Sequence, residues 1–243
     1  MERSSKTNKK MFNAHKYLSM KKFITIAVLF LVSMPLAWSQ TKFEWPIKEL
    51  DTAREVKYLT DDEKDLILEL NKVRFNPQKY AEERMKELGN YYDGKFLKIP
   101  GTTDLETSEG KTAYDDCMKY LETAKPAPIL RPSKGMSKAC QLLVYDQGST
   151  GETGHKGSGN TTPLDRSKKF GTFMGNYAEN IHYGDCDAAF SVIELLIDDG
   201  VKSRGHRLTI MNPSFNYVGV SVGKHKIFTK MFVTTYASNF TDK

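Results

Sequence analysis

The sequence predicts an α+β fold in which a small, mostly antiparallel β-sheet is covered by helices on both faces. Apolar residues recur at helical spacing in three long segments, at positions 60–88, 133–147 and 187–199. Strand-like segments lie between and after these helices, around 177–181 and from 218 to 236, where valines alternate with small residues. This order of elements fits a three-layer α-β-α sandwich. Periodicity alone leaves the arrangement of the layers open.

The first long helix carries clear start signals. Thr60 and Glu63 have the spacing of a capping box, in which each side chain accepts a hydrogen bond from the other residue's backbone N–H. The helix is expected to restart at Asn76-Pro77, because proline is tolerated at the first helical position. Gly89 is expected to end it.

The middle and the end of the chain are less regular. Residues 90–128 are interpreted as an elaboration between the first two helices of the domain, with a helix of their own from Glu109 to Leu121. Ser133 is expected to cap a helix that ends before Gly148. A hairpin turn is expected at positions 223–226, between the last two strands.

Composition argues for a packed domain and against a nucleic-acid partner. Hydrophobic residues make up 39% of the chain and aromatic residues 11%, which is enough for a core. The formal charge is +6, but residues 1–39 hold seven Lys/Arg and one acidic residue. The remainder has 29 basic and 29 acidic residues and is therefore neutral. The basic charge belongs to the amino-terminal segment.

That segment has the features of a secretory signal peptide. Lys21-Lys22 precede the apolar run from Phe23 to Leu36, and Ala37-Trp38-Ser39 follow it. We expect cleavage near Ser39 and a secreted or periplasmic protein, with either Met1 or Met20 as its start. The apolar run is shorter than the roughly 20 residues that span a bilayer, so no permanent membrane anchor is expected. The domain prediction is a leader at 1–39, a lead-in segment at 40–59 and a single domain at 60–243.

Three cysteines follow the leader: Cys117, Cys140 and Cys186. In an oxidising compartment three cysteines permit one disulfide and one free thiol, and their spacing does not select the pair. They form no Cys-x-x-Cys motif, which argues against a structural zinc module. The core must therefore carry the fold.

Four short motifs are rich in residues that could perform chemistry, and they occur in a set order. Asn71, Arg74 and Pro77 form the pattern N-x-x-R-x-x-P. Three further segments then follow in the second half of the chain, and they are Gly154–Ser158 with His155, Asn176–Ile181 with Glu179, and Ser203–Arg207 with His206. Over residues 60–240 the chain resembles a bacterial-type secreted member of the CAP superfamily, the cysteine-rich secretory, antigen 5 and pathogenesis-related 1 proteins.

This resemblance implies the CAP form of the α-β-α sandwich and a polar cleft shared by His155, Glu179 and His206. In the cleft Glu179 is expected to be either a metal ligand or the carboxylate that orients a histidine. Members of the superfamily often place a second glutamate there. Glu194 is the glutamate available in the matching region, and its register is open. The implied cofactor is Zn²⁺ or another divalent cation, held by the two histidines with or without Glu179.

The other histidines of the domain and the known enzyme motifs give no further candidate site. His182 and His225 lie outside these motifs and are expected at the surface. The sequence has no H-E-x-x-H motif, no G-x-S-x-G motif and no P-loop, which removes the corresponding protease, hydrolase and nucleotide-binding classes.

Two functions from different classes remain, and the sequence does not decide whether the protein is an enzyme. The first is a binding module whose cleft takes a lipid, a sterol, another small apolar ligand or a peptide, or docks on an envelope or host protein. The alternative is a metal-dependent hydrolase, in which the cation lowers the pKa of a bound water and Glu179 accepts its proton. A structural envelope protein with an unused cleft is a third option.

Overall fold

The computed structural model describes residues Glu44–Lys243 and builds them around a four-stranded sheet. The predicted signal peptide at 1–39 and the first residues of the lead-in segment lie outside this range. The helices are α1 Ile47–Leu50, α2 Asp61–Phe75, α3 Pro77–Tyr80, α4 Lys111–Thr123, α5 Lys134–Thr150, α6 Pro163–Lys168, α7 Ala188–Ile197 and α8 Gly205–Ile210. The strands are β1 Tyr92–Asp93, β2 Phe96–Leu97, β3 Leu105–Glu106, β4 Arg131–Pro132, β5 Gly171–Tyr183, β6 Tyr217–His225 and β7 Thr229–Asp242.

The main sheet has the strand order β4-β6-β7-β5, and only the β4–β6 pair is parallel. Strand β5 therefore forms one edge. Helices α5 and α6 pack on one face of the sheet, and α2, α7 and α8 pack on the other. The predicted α+β sandwich with a mostly antiparallel sheet is confirmed.

The register of β5 against β7 shows which face each side chain takes. Glu179 is opposite Thr235, and Asn180 is opposite Thr234. The Thr235 hydroxyl lies 3.4 Å from the Cys140 sulfur on α5. Because neighbouring side chains of a strand point to opposite faces, Glu179 faces α5 and α6, whereas Asn180 faces α7 and α8.

The start of α2 and the restart at Asn76-Pro77 are as predicted, but the end of the helical region is not. Thr60 and Glu63 form the capping box, and the Asn76 side chain accepts a hydrogen bond from Lys79 N at the restart. Gly89 does not end the helical region, which continues as a π turn and then a 3₁₀ segment to Tyr91. A Cβ at Gly89 would lie 2.8 Å from the Tyr114 ring, so glycine is needed here for close packing on α4.

The elaboration at 90–128 contains a second, three-stranded sheet of β1, β2 and β3 in addition to α4. The Asp199 carboxylate holds it to the main domain by accepting hydrogen bonds from Ser108 N at 2.6 Å and Glu109 N at 2.8 Å. Glu109 also forms an ion pair with Arg204. The predicted lead-in segment also belongs to the packed domain, since Leu50 and Ala53 are fully buried.

Two boundaries in the second half differ from the prediction. Helix α5 runs past Gly148 to Thr150, and Gly151 ends it in the left-handed conformation, with φ at 83°. Strand β6 continues through the predicted turn at 223–226 to His225. The His225 ring accepts hydrogen bonds from Ile227 N and Phe228 N, so the chain turns after this residue.

Two further findings bear on the sequence-based expectations. Between Glu44 and Lys243 no helix has the length and apolar character needed to cross a membrane. Cys117, Cys140 and Cys186 are all free thiols, and the first two are buried.

Candidate functional site

The first part of the candidate site joins His155 to two buried charges. His155 Nδ1 lies 3.0 Å from Glu179 Oε1, and Arg166 donates from Nη2 to Glu179 Oε2 at 2.7 Å. The side chains of Glu179 and Arg166 are each 1% exposed, whereas that of His155 is 51% exposed. A buried ion pair thus supports an accessible imidazole.

Local sequence explains how these three residues meet. Thr162 caps α6 through a capping box with Asp165, and Pro163 occupies the first turn, which places Arg166 beneath the His155 loop. Arg166 Nη1 donates to the carbonyl oxygens of His155 and Thr161, both at 3.1 Å. The guanidinium therefore fixes the backbone of the loop and the carboxylate together.

The hydrogen bonds of Glu179 determine which nitrogen of His155 is free. A carboxylate that is paired with a guanidinium acts as an acceptor, so the imidazole proton belongs on Nδ1. Nε2 then carries the lone pair and is left for a ligand. Of the two roles expected for Glu179, the geometry matches the carboxylate that orients a histidine.

The second part of the site is built on His206 at the start of α8. His206 Nδ1 lies 2.6 Å from Asp198 Oδ1, and His206 N donates to Asp198 Oδ2 at 2.8 Å. Asp198 follows α7 in the left-handed conformation, with φ at 56°, and is 3% exposed. The Asn180 side chain donates to the His206 carbonyl at 3.1 Å, which ties α8 to strand β5.

The predicted set of site residues is therefore assembled as two pairs. His155 and Glu179 meet on the α5 and α6 side of β5, while His206 pairs with Asp198 in the layer of α7 and α8. Within residues 44–243 no hydrogen bond or ion pair links the two pairs directly. Asp198, and not Glu194, is the acidic partner of His206.

Glu194 lies elsewhere on α7. It lines a cavity together with Phe190 and Cys186, and burial, with a smaller contribution from Asp199, raises its pKa to about 7. The structure therefore does not place Glu194 beside His206. Asp198, one helical turn further along and at the end of α7, is the acidic residue that reaches the His206 ring.

The predicted metal site does not form as a three-ligand set. No group of three or more His, Cys, Asp or Glu side chains in the described range could hold a metal ion. Both oxygens of Glu179 are already bonded to His155 and Arg166. Removing Glu179 from the set leaves two imidazoles, fewer than the three protein ligands typical of catalytic zinc.

The two other histidines of the described range are not exposed as expected, since His182 is half-buried and His225 is buried. Burial lowers the pKa of His182 to about 4, and the charge of His206 acts in the same direction. His182 packs against Phe232, and its Nδ1 lies 3.8 Å from the Cys186 sulfur. His225 is 3% exposed, and its Nε2 bonds to the Glu152 carbonyl oxygen. Both were expected at the surface, and both have packing roles.

Sequence reasoning missed two residues of the site, Arg166 and Asp198. Arg166 follows Asp165 of the α6 capping box, and a buried arginine has no distinct sequence pattern. Asp198 was hidden because a glutamate was expected on the helix. A signal existed in the run Asp198-Asp199-Gly200, since aspartate tolerates the left-handed conformation at a helix end.

The sequence model of the cysteine-rich secretory protein (CAP) family matches residues 69–236, more than half of the chain. No curated protein matches the chain significantly.

Three solved bacterial structures are similar. An extracellular SCP-domain protein from Bacillus anthracis has 19% identity and a TM-score of 0.36, and the match covers 46% of this chain and 34% of that chain. An outer surface protein from Borrelia burgdorferi has 16% identity and a TM-score of 0.37, and the match covers 52% of this chain and 90% of that chain. A cysteine-rich secretory protein from Staphylococcus aureus has 14% identity and a TM-score of 0.34, and the match covers 64% of this chain and 48% of that chain. This chain thus spans about a third of the Bacillus protein and half of the Staphylococcus protein. On the match of the family's sequence model, the chain belongs to the cysteine-rich secretory protein (CAP) family.

Proposed function

We propose that the protein acts outside the cytoplasm as a binding module, with the two acid–histidine pairs as its polar contact points. The observation that carries this proposal is the accessibility of the imidazoles above buried carboxylates. The side chains of His155 and His206 are 51% and 27% exposed, while those of Glu179 and Asp198 are 1% and 2% exposed.

Such a pair suits binding because its geometry exists before the ligand arrives. The buried carboxylate holds the ring by Nδ1, so little side-chain entropy is lost when Nε2 accepts a hydrogen bond from a ligand. The ligand class proposed here is a lipid, a sterol or a peptide that carries a hydrogen-bond donor. The predicted signal peptide supports an extracellular or periplasmic location, as do the extracellular and outer-surface proteins among the similar structures.

The metal-dependent hydrolase is the competing function, and one experiment separates the two. Protein stripped of metal and protein loaded with Zn²⁺ are assayed on peptide and ester substrates, with His206→Gln as the matched variant. The binding-module proposal expects no turnover above background in either form. Zinc-stimulated turnover that His206→Gln abolishes would establish the hydrolase instead.

Location is tested separately by the mass of the secreted protein. A mature chain that begins near Gln40 is the expected product when the full gene is expressed in a bacterial host. A chain that retains residues 1–39 and stays in the cytoplasm would contradict the proposed location.

A further inference from the structure

A cavity separate from the two acid–histidine pairs lies between the elaboration and the β5–α7 connection. Its volume is about 430 Å³, within the range of small-molecule sites. Leu97, Ile99 and Leu105 line it from the elaboration, and Phe190 lines it from α7. Leu105 is 40% exposed, so the apolar wall is open to solvent at one side.

One polar group in this cavity has no partner. Glu194 lines the wall, and its carboxylate makes no hydrogen bond or ion pair with any residue between Glu44 and Lys243. Asp199 is the acidic neighbour of Glu194, and burial disfavours the ionised form of the Glu194 carboxyl group. The Glu194 side chain is half-buried, and burial raises the pKa of its carboxyl group, so a ligand that supplies a donor would stabilise the ionised form.

The charges around the cavity are of one sign. Asp185 and Asp187 lie in its lining beside Glu194, and the lining contains no Lys or Arg. The cation near this region is Lys230, whose ammonium group is bonded to Asp62 and to the Cys186 carbonyl oxygen. His182 also lines the cavity, and its lowered pKa leaves it neutral at neutral pH.

The acidic lining of the cavity determines which ligand charge fits best. An anion would face three carboxyl groups with no cation of the lining to balance them. A neutral ligand could donate a hydrogen bond but would leave the negative charge of these carboxyl groups uncompensated. An ammonium group supplies a positive charge and three donors.

We propose that this cavity binds a small amphiphilic amine, with its ammonium group on the Glu194 carboxylate and its apolar chain along Leu97, Ile99 and Phe190. This site is independent of the two acid–histidine pairs. Its ligand needs neither imidazole.

Calorimetric titration at pH 7.5 with three probes of equal chain length tests the proposal. The probes are n-octylammonium chloride, 1-octanol and sodium octanoate. Octylammonium is expected to bind at one per protein, about tenfold or more tighter than octanol, since hydrogen bonds to charged groups are the stronger ones. Octanoate is expected to bind more weakly than octanol.

A variant and a matched control locate the effect. Glu194→Gln keeps the shape of the side chain and removes its charge, so the preference of octylammonium over octanol is expected to disappear while octanol still binds. Glu122→Gln, at an exposed position on α4, is expected to change nothing. Circular dichroism confirms that each variant is folded.

Three titration results would overturn the proposal. They are octanoate binding as tightly as octylammonium, an unchanged octylammonium preference in Glu194→Gln, and saturation at many ligands per protein in the manner of surface adsorption. Backbone amide shifts on addition of octylammonium give a second readout. They are expected at Leu97, Leu105 and Cys186, and shifts confined to other regions would also contradict the proposal.

Discussion

At the scale of single residues, the site depends on buried carboxylates that hold exposed rings. Glu179 is shared between an imidazole and a guanidinium, and Asp198 binds both the ring and the backbone of His206. Each acid therefore stabilises the fold and orients a functional group. A substitution at either acid is therefore expected to lower the free energy of unfolding as well as to release the histidine ring.

The buried Glu179–Arg166 pair gives the largest expected effect. Glu179→Gln leaves the guanidinium of Arg166 uncompensated, which is expected to lower the free energy of unfolding by roughly 3–5 kcal/mol. Urea denaturation measures the loss. The matched control is Glu82→Gln, which breaks the exposed pair with Lys86 and should leave the unfolding midpoint unchanged. Equal midpoint shifts in both variants would contradict the burial argument.

Glu194 predicts a pH dependence with a definite sign. Its pKa rises from 4.5 to about 7 on folding, so the folded protein retains a proton that the unfolded chain has lost between these values. The wild type should therefore lose stability relative to Glu194→Gln as the pH rises from about 4.5 to 7, and the difference should be constant above that. Urea denaturation of both proteins across this range measures it.

Comparing the wild type with Glu194→Gln cancels the opposing contribution of His182 to the pH dependence of stability. The lowered pKa of His182 adds stability as the pH rises from about 4 to 6.5, and it does so in both proteins. A difference that does not vary with pH would show that Glu194 ionises alike in the folded and unfolded chains.

His225 is predicted to be a structural residue. His225→Ala removes the partners of the Glu152 carbonyl and of two turn N–H groups, which should cost roughly 1–3 kcal/mol. The exposed neighbour Lys226→Ala is the control and should leave the melting temperature within error. A His225→Ala variant as stable as this control would mean that the turn does not depend on the ring.

At the scale of secondary-structure elements, strand β5 determines where the two pairs lie. Alternation along the strand sends Glu179 to the α5 and α6 side and Asn180 to the α7 and α8 side. The alternation follows from any strand at these positions, but the consequence for His206 does not, because the layer of α8 is fixed by tertiary packing. Local signals did predict helix starts, since Thr60, Asn76 and Ser133 all cap as expected.

The packing of α5 on β6 depends on Gly219. A Cβ at this position would lie 2.3 Å from the Met136 carbonyl carbon and 2.6 Å from Ser137 N. Gly219→Ala is therefore expected to force the helix from the sheet and to cost about 1–3 kcal/mol or more. Gly205→Ala is the matched control, because the atom nearest to its added Cβ is 3.5 Å away. Thermal unfolding compares them, and similar melting temperatures would contradict the packing argument.

At the scale of the whole molecule, sequence patterns predict the order of elements and the family resemblance implies the layers, but neither predicts the full set of contacts in the site. The family resemblance identified His155, Glu179 and His206, and the structure gives each a carboxylate or imidazole partner. It did not identify Asp198 or Arg166, whose roles arise from the meeting of α7 with α8 and of α6 with β5. The elaboration could be located from the sequence, but the cavity behind it depends on tertiary contacts such as the hydrogen bonds to Asp199.

Two separate carboxylates, Glu179 and Asp198, hold the two imidazoles by Nδ1 and leave Nε2 free. Nitrogen-15 NMR of the histidine rings at a pH near 8, above the ordinary pKa of free imidazole, measures the protonation of each nitrogen directly. We expect a protonated Nδ1 and a bare Nε2 for both His155 and His206, with loss of this preference at His155 alone in Glu179→Gln. Protonated Nε2 on either ring of the wild type, or loss at both rings in the variant, would contradict this expectation.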